Sequence, residues 1–248
     1  MWDVLAYCKR RLVTTISYHL DLYIGLQRQE GLNNDPFWAT DFVFTPDGDP
    51  YSAKVFKQRA INHYWMKPGV FKEECYVADV PITRDVIFVG SRYYHQEWPY
   101  RPRLIQWLRD TYSGRFEHWG HDGLGSVRGD ALNRLYASTK VVVGDSLCLP
   151  AHTNYWSDRP YETMGRGGVL IMPKVPGLER EFTDKKDLML YNFDDFGQLK
   201  DSIDYLLDNE VEREFMRQQG HMKVKGNYTY NERLTEMLDM VANTRGKK

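Results

Sequence analysis

The sequence predicts an α/β protein: a doubly wound, Rossmann-type parallel sheet with a helical C-terminal segment, preceded by a shortened α/β unit. Three observations carry this expectation. From Asp85 to Tyr191, short apolar runs alternate with amphipathic stretches, the order expected of parallel strands joined by crossover helices. After Tyr191 only helical periodicity remains. Before residue 80 there are two or three strand-like runs, few for an independent sheet.

The front unit reads as strands at Val13 to Ser17 (VTTIS) and Asp41 to Thr45 (DFVFT), a turn at Pro46-Asp-Gly-Asp-Pro50 and a helix from Tyr51 to Arg59. Five further runs have β-type composition: Asp85 to Val89, Arg115 to Trp119, Lys140 to Val143, Gly168 to Met172 and Asp187 to Tyr191. Helical patterns lie between them at Tyr100 to Tyr112, Asp130 to Ser138, Arg159 to Arg166 and Gly177 to Phe182. Three closing helices are expected over Asp194 to Leu207, Val211 to Val224 and Tyr230 to Ala242. In the first, Phe196, Leu199, Ile203, Leu206 and Leu207 recur as a core-facing stripe. The expected division is an N-terminal unit at 1–79, a Rossmann-like domain at 80–243 and a disordered tail at 244–248. A doubly wound sheet binds its ligand at the carboxyl ends of its strands, so the loops after each strand are where chemistry is sought.

Composition narrows the function class. With 42% hydrophobic and 27% charged residues in 248, the chain reads as an ordinary globular protein, while 14% aromatic is rich and points to pockets or interfaces. A formal net charge of −1, with 33 basic residues scattered among 34 acidic ones, gives no footprint for non-specific nucleic-acid binding. Cys8, Cys75 and Cys148 are odd in number and lack metal-ligand spacing, which favours a reducing compartment. No stretch approaches the roughly 18 apolar residues of a membrane span, and no signal-peptide run follows Met1 to Arg11. The expected location is cytoplasmic.

Two segments carry chemistry. Val86-Ile-Phe-Val-Gly90-Ser91-Arg92 is a buried strand ending on a glycine turn, with Arg101 and Arg103 close behind; backbone N–H groups beside a guanidinium suit a diphosphate, and a plain strand-to-helix turn with surface arginines is the competing reading. Ser157 to Pro173 (SDRPYETMGRGGVLIMP) holds the second. If Asp158 caps the helix, with Pro160 tolerated in the first turn, the third helical position is Tyr161 and Glu162 falls outside the usual capping box. Arg159 then suits a phosphate and Glu162 a pair of ribose hydroxyls, with simple dipole compensation as the alternative for the acid.

Together these motifs resemble the nucleotide-sugar-binding half of GT-B glycosyltransferases of the group 1 type, in the branch that includes spore-maturation-type proteins. The resemblance runs from about Val80 to Leu238. It rests on FVGS at Phe88 to Ser91, the R-x-[FY]-E pattern at Arg159 to Glu162 with the glycines after it, GVLIMP, LEREF at Leu178 to Phe182, YNFDDFGQLKDSIDYLL from Tyr191, and the closing EREFMRQQGHMKV…YTYNERL.

The resemblance implies a metal-independent hexosyltransferase whose co-substrate is a nucleoside diphosphate sugar, a UDP-sugar favoured, and whose acceptor is an unidentified glycan, protein, lipid or modified nucleic acid. It makes Glu162 the ribose acid and Arg159 a diphosphate contact, alongside Gly90, Ser91, Arg92 and Arg101. The family's second acid, eight residues earlier, is replaced here by Asn154, and Asp145 at the end of its strand is a further crevice candidate. On the acceptor side, Ser17-Tyr-His-Leu-Asp21 follows a predicted strand and offers His19 or Asp21 as base; packing is the competing role for His19. A homodimer or partner chain would supply what the short N-terminal unit lacks, and a non-catalytic nucleotide-sugar-binding subunit is the alternative function. Two metal-like patterns stand beside these. Asp47-Gly-Asp49 has the D-x-D form of metal-dependent GT-A enzymes but sits between prolines as a turn, and His118-Trp-Gly-His-Asp122 lacks a matching ligand set. No metal is expected.

Overall fold

A computed structural model describes residues 1–22, 34–95, 98–147 and 152–245. Cys148 and residues 246–248 of the expected tail lie outside the described residues.

Two parallel sheets organise the chain. The first has three strands in order β1-β2-β3, formed by β1 (Ile16–Tyr18), β2 (Phe42–Thr45) and β3 (His63–Trp65). Val43 faces Trp38 and Phe56, the latter on helix α2 (Pro50–Gln58), while Phe42 and Phe44 point to the opposite side with Met66. This is the period-two alternation of a strand packed on both faces.

The second sheet has five strands in order β5-β4-β6-β7-β8: β4 (Arg84–Val89), β5 (Phe116–Trp119), β6 (Thr139–Val143), β7 (Leu170–Pro173) and β8 (Met189–Tyr191). Val86 and Phe88 of β4, with Val141 and Val143 of β6, pack on α3 (Tyr100–Thr111) and α6 (Phe196–Asp208) through Leu104, Ile105, Leu108, Leu199 and Ile203. Ile87 and Val142 point the other way, onto Leu132, Leu135 and Tyr136 of α4 (Gly129–Ala137). Further along, Leu170 and Met172 cover Tyr161 and Met164 of α5 (Arg159–Gly165) and Val224 of α7 (Glu210–Asn227). Strands buried on both faces read as unbroken apolar runs, which is why this sheet was legible in the sequence.

All five strands run parallel, and the order of winding reverses at β4, which has β5 on one side and β6 on the other. That is the topological switch point, and a crevice opens beyond the carboxyl ends of β4 and β6.

Three expectations are corrected, and two elements are additional. The segment from Gly177 to Phe182 is a single 3-10 turn at Leu178–Arg180, entered from Gly177 at φ 101°. The first strand lies at Ile16–Tyr18 rather than from Val13. Helix α1 (Trp2–Arg10) and strand β3 were not anticipated: α1 buries no residue, and β3 is three residues of mixed character. Asp158 precedes α5 but does not cap it, because its backbone is already helical at φ −62°, ψ −15° and its carboxylate cannot turn back onto the first turn.

The last helix, α8 (Tyr230–Arg245), leaves the five-stranded sheet and packs Met237 and Val241 against Phe42, Phe44 and Met66 of the first. Among the described residues, no helix is long and apolar enough to cross a membrane.

Candidate nucleotide-sugar site

Arg159 bridges the two strand ends. Its Nη1 donates to the Val89 carbonyl at 2.6 Å, and its Nε donates to the Asp145 carbonyl at 3.1 Å. The guanidinium stands 5.3 Å over the Phe88 ring. Its stem lies where a side chain on Gly144 would collide with it, and a Cβ on Gly90 would stand 3.1 Å from its Nη2. Gly90 also has φ +140°, a backbone conformation that favours glycine. Two glycines therefore let the arginine lie across the switch point, and Nη2 makes no hydrogen bond among the described residues.

The turn after β4 is held from three sides. Gly90 N–H donates to the Trp119 carbonyl at 2.7 Å, the His118 ring contacts the Gly90 carbonyl through Nε2 at 2.8 Å, and Arg101 Nη1 donates to the Ser91 carbonyl at 3.3 Å. Arg101 also donates through Nε to both oxygens of Asp145, at 3.0 and 2.9 Å, and Trp98 Nε1 donates to Asp145 at 3.0 Å. Asp145 is fully buried. Burial alone would raise its carboxyl; Arg101 and then Arg159 reverse this and hold it below the usual carboxylate range.

The crevice has two lobes that share Gly90, Ser91, Arg128 and Arg159. One, of about 340 Å³, is walled by Glu162, Arg166, Glu74 and Tyr136 among others. The second, of about 660 Å³, is walled by His19, Asp21, Tyr94, Tyr155 and Asp158. Arg159 and Glu162 are three residues apart on α5, so the helix sets the guanidinium at the joint and the carboxylate in the smaller lobe.

The Glu162 carboxylate accepts no hydrogen bond among the described residues. The nearest cation, Arg166 Nη2, is 3.9 Å away because that guanidinium is already paired with Glu74 and Asn133. Loss of hydration, then the carboxylate of Asp158, push the Glu162 carboxyl up to about 7; Arg166 and Arg159 pull the other way, and 35% of the side chain stays open to the crevice. In the larger lobe, Tyr94 donates to Asp21 Oδ2 at 2.5 Å and Tyr155 to Oδ1 at 3.4 Å. Burial against Phe37 and Trp38 lowers the His19 pKa despite Asp21 and Asp35, which keeps the imidazole neutral near pH 7.

Of the residues singled out from sequence, the structure brings together Gly90, Ser91, Arg101, Arg159, Glu162, His19 and Asp21. Three others line neither lobe. Arg92 turns away, donating to Gln106 at 3.2 Å and lying over Tyr93. Asn154 adopts φ 53° and packs on Gly177, lining neither lobe. Asp145 offers the crevice no carboxylate, since Arg101 and Trp98 occupy it, and it acts by positioning Arg159 through its carbonyl.

The D-x-D turn has a structural role. Asp49 caps α2 by accepting from Tyr51 N–H at 2.8 Å and gives its other oxygen to Thr153 N–H at 2.8 Å. Among the described residues, no group of three His, Cys, Asp or Glu side chains gathers as a metal-ligand set. Arg128, Arg166 and Glu74 were missed in the sequence. For Arg128 a signal existed, since it lies in the loop that follows β5.

Residues 95–239 match the family profile described as glycosyl transferase-like. None of the curated proteins compared matches the sequence. Among solved structures, the chain is similar to Anabaena HepE in complex with UDP-glucose, with a TM-score of 0.68 at 12% identity over 97% of this chain and 75% of that one. It is also similar to sucrose-phosphate synthase from Thermosynechococcus elongatus, with a TM-score of 0.63 at 12% identity over 98% of this chain and 71% of that one. A glycosyltransferase from Rickettsia africae gives a TM-score of 0.61 at 11% identity over 96% and 73%. These likenesses show a GT-B-like fold. With a match that takes in α3 to α7 and both Arg159 and Glu162, the chain belongs to the glycosyl transferase-like family.

Proposed function

We propose that this chain transfers a glycosyl group from a nucleoside diphosphate sugar to an acceptor hydroxyl without a metal ion, with UDP as the favoured nucleotide. The observation that carries the reading is Glu162, an unclaimed carboxylate one helical turn from a guanidinium that bridges the ends of β4 and β6. Glu162 accepts from the ribose hydroxyls in the smaller lobe. Arg159 and Arg128 meet the diphosphate at the joint, where preorganised donors oppose the charge that grows on the leaving group. Helix α5 has only seven residues, so the guanidiniums rather than its dipole carry this role. The HepE structure solved with UDP-glucose supports UDP as the first nucleotide to try.

The acceptor oxygen attacks the anomeric carbon, the bond from that carbon to the diphosphate oxygen breaks, and the acceptor proton passes to His19 or Asp21. His19 is neutral near pH 7, the state a base needs. Residues 1–79 serve as the acceptor side and 80–243 as the donor side, with α8 packed across the first sheet.

Calorimetric titration with UDP, GDP, ADP and their sugar conjugates tests this. A ligand at a hundredfold excess over its Kd stabilises by about 2.7 kcal/mol, and the effect should fade in Glu162→Ala. Binding of none of them by the native chain would overturn the reading, whereas binding without turnover across an acceptor panel would favour a non-catalytic partner subunit.

A further inference from the structure

A nucleoside diphosphate sugar is a linear ligand, with the nucleoside on one side of the diphosphate and the sugar on the other. With the diphosphate at Arg159 and Arg128 and the ribose at Glu162, the sugar enters the larger lobe. The hydrogen-bonding groups there are largely committed. Asp21 takes the hydroxyls of Tyr94 and Tyr155, Tyr18 donates to the Lys67 carbonyl at 2.9 Å, and Arg101 Nε is held by Asp145. Asp158 differs. It lies at the surface of the crevice, makes no capping bond to α5, and apart from its own backbone N–H no described residue donates to its carboxylate, whose pKa burial raises and Arg159 lowers. Asn154, the position where the family pattern has an acid, packs away on Gly177.

We propose that Asp158 is a donor-sugar ligand, accepting from a hydroxyl of an uncharged glycosyl group, and that a sugar bearing its own negative charge is disfavoured in this lobe; the proposal rests on the donor-site reading above. Two carboxylates, Asp158 and Asp21, face this lobe, and the three arginines on its wall are engaged elsewhere, Arg101 by Asp145 and Arg128 and Arg159 by the diphosphate in this reading. Hydroxyls can donate to a carboxylate, with the strength of a charge-assisted bond. A uronate would instead set like charge against like in a partly desolvated space. One short segment thus addresses all three parts of the donor: Asp158 the sugar, Arg159 the diphosphate and Glu162 the ribose.

Calorimetry on the full chain separates the parts of this claim. The probes are UDP, UDP-glucose, UDP-galactose, UDP-N-acetylglucosamine and UDP-glucuronate, with GDP, GDP-mannose and GDP-mannuronate as the parallel set. On the native chain, the best neutral conjugate should bind about tenfold tighter than the uronate of the same nucleotide. In Asp158→Ala, affinity for that neutral conjugate should fall about fivefold to tenfold while the free diphosphate changes less than about twofold, a split that a merely structural role would not give. Asp158→Asn should narrow the penalty on the uronate.

Equal losses for diphosphate and conjugate in Asp158→Ala, or uronate bound as tightly as the neutral sugars by the native chain, would overturn the proposal while leaving the donor site standing. Absence of all nucleotide binding would overturn the donor-site reading and this proposal with it.

Discussion

Glu162 owes its availability to a competition for Arg166. The two are four residues apart on one helical face, an arrangement that ordinarily pairs acid and base. Glu74, 92 residues earlier in the chain, takes the guanidinium instead. Loss of hydration, then the Asp158 carboxylate, push the Glu162 carboxyl up to about 7, against the pull of Arg166 and Arg159. Its charged form is the better acceptor of ribose hydroxyls, so nucleotide affinity should rise between about pH 6 and 8 and flatten in Glu162→Gln, read by titration at several pH values. The sign for stability is opposite. A carboxyl whose folded pKa lies above its unfolded value favours the fold when protonated, so unliganded stability contributed by this group is present at acid pH and is lost as pH rises from about 4.5 to about 7. Urea melts of the native chain and Glu162→Gln across that window check it, the variant lacking the loss.

At the scale of elements, the site is two loops pressed together at a switch point. A Cβ on Gly120, in the loop after β5, would stand 2.5 Å from the Gly90 carbonyl, and Gly90 in turn abuts Arg159. Gly120→Ala should therefore push the β4 turn off its seat, lowering stability by about 1–3 kcal/mol and weakening nucleotide binding more than that alone explains. Equilibrium unfolding and calorimetry on the same variant separate the two effects. The strand elements were legible because VIFV, VVV and GVLIM are buried on both faces and leave a continuous apolar signal. Helix α1 was not anticipated, and its apolar residues Trp2, Val4 and Tyr7 are exposed, so it adds no buried residue to either core.

Across the whole molecule, the two sheets are tied at Glu181. Lys67 reaches its Oε1 at 2.5 Å, and Arg233 of α8 and Tyr161 of α5 reach its Oε2 at 3.4 Å each. Arg233 also donates to the Pro68 carbonyl at 3.1 Å and lies over the rings of Tyr161 and Tyr228. The chain passes through this knot leaving the first sheet and again returning to it. Arg233→Ala strips one partner from a buried carboxylate, and a loss of about 3–5 kcal/mol is expected in urea unfolding, with Arg233→Lys keeping part of it.

What the sequence determined by itself is whatever short-range geometry fixes: the alternation of strands and helices, the glycine turn after β4, and the placing of Arg159 and Glu162 on one turn of helix. Backbone periodicity sets those relations with no help from distant residues. Only the tertiary structure decided which side chains reach the crevice. Arg92 and Asn154 have the right chemistry and turn away, Asp145 spends its carboxylate on Arg101, and Arg128 arrives from another loop. A side chain's direction and partners depend on packing between segments tens of residues apart, and no local pattern encodes which of several competing charges will claim a given arginine.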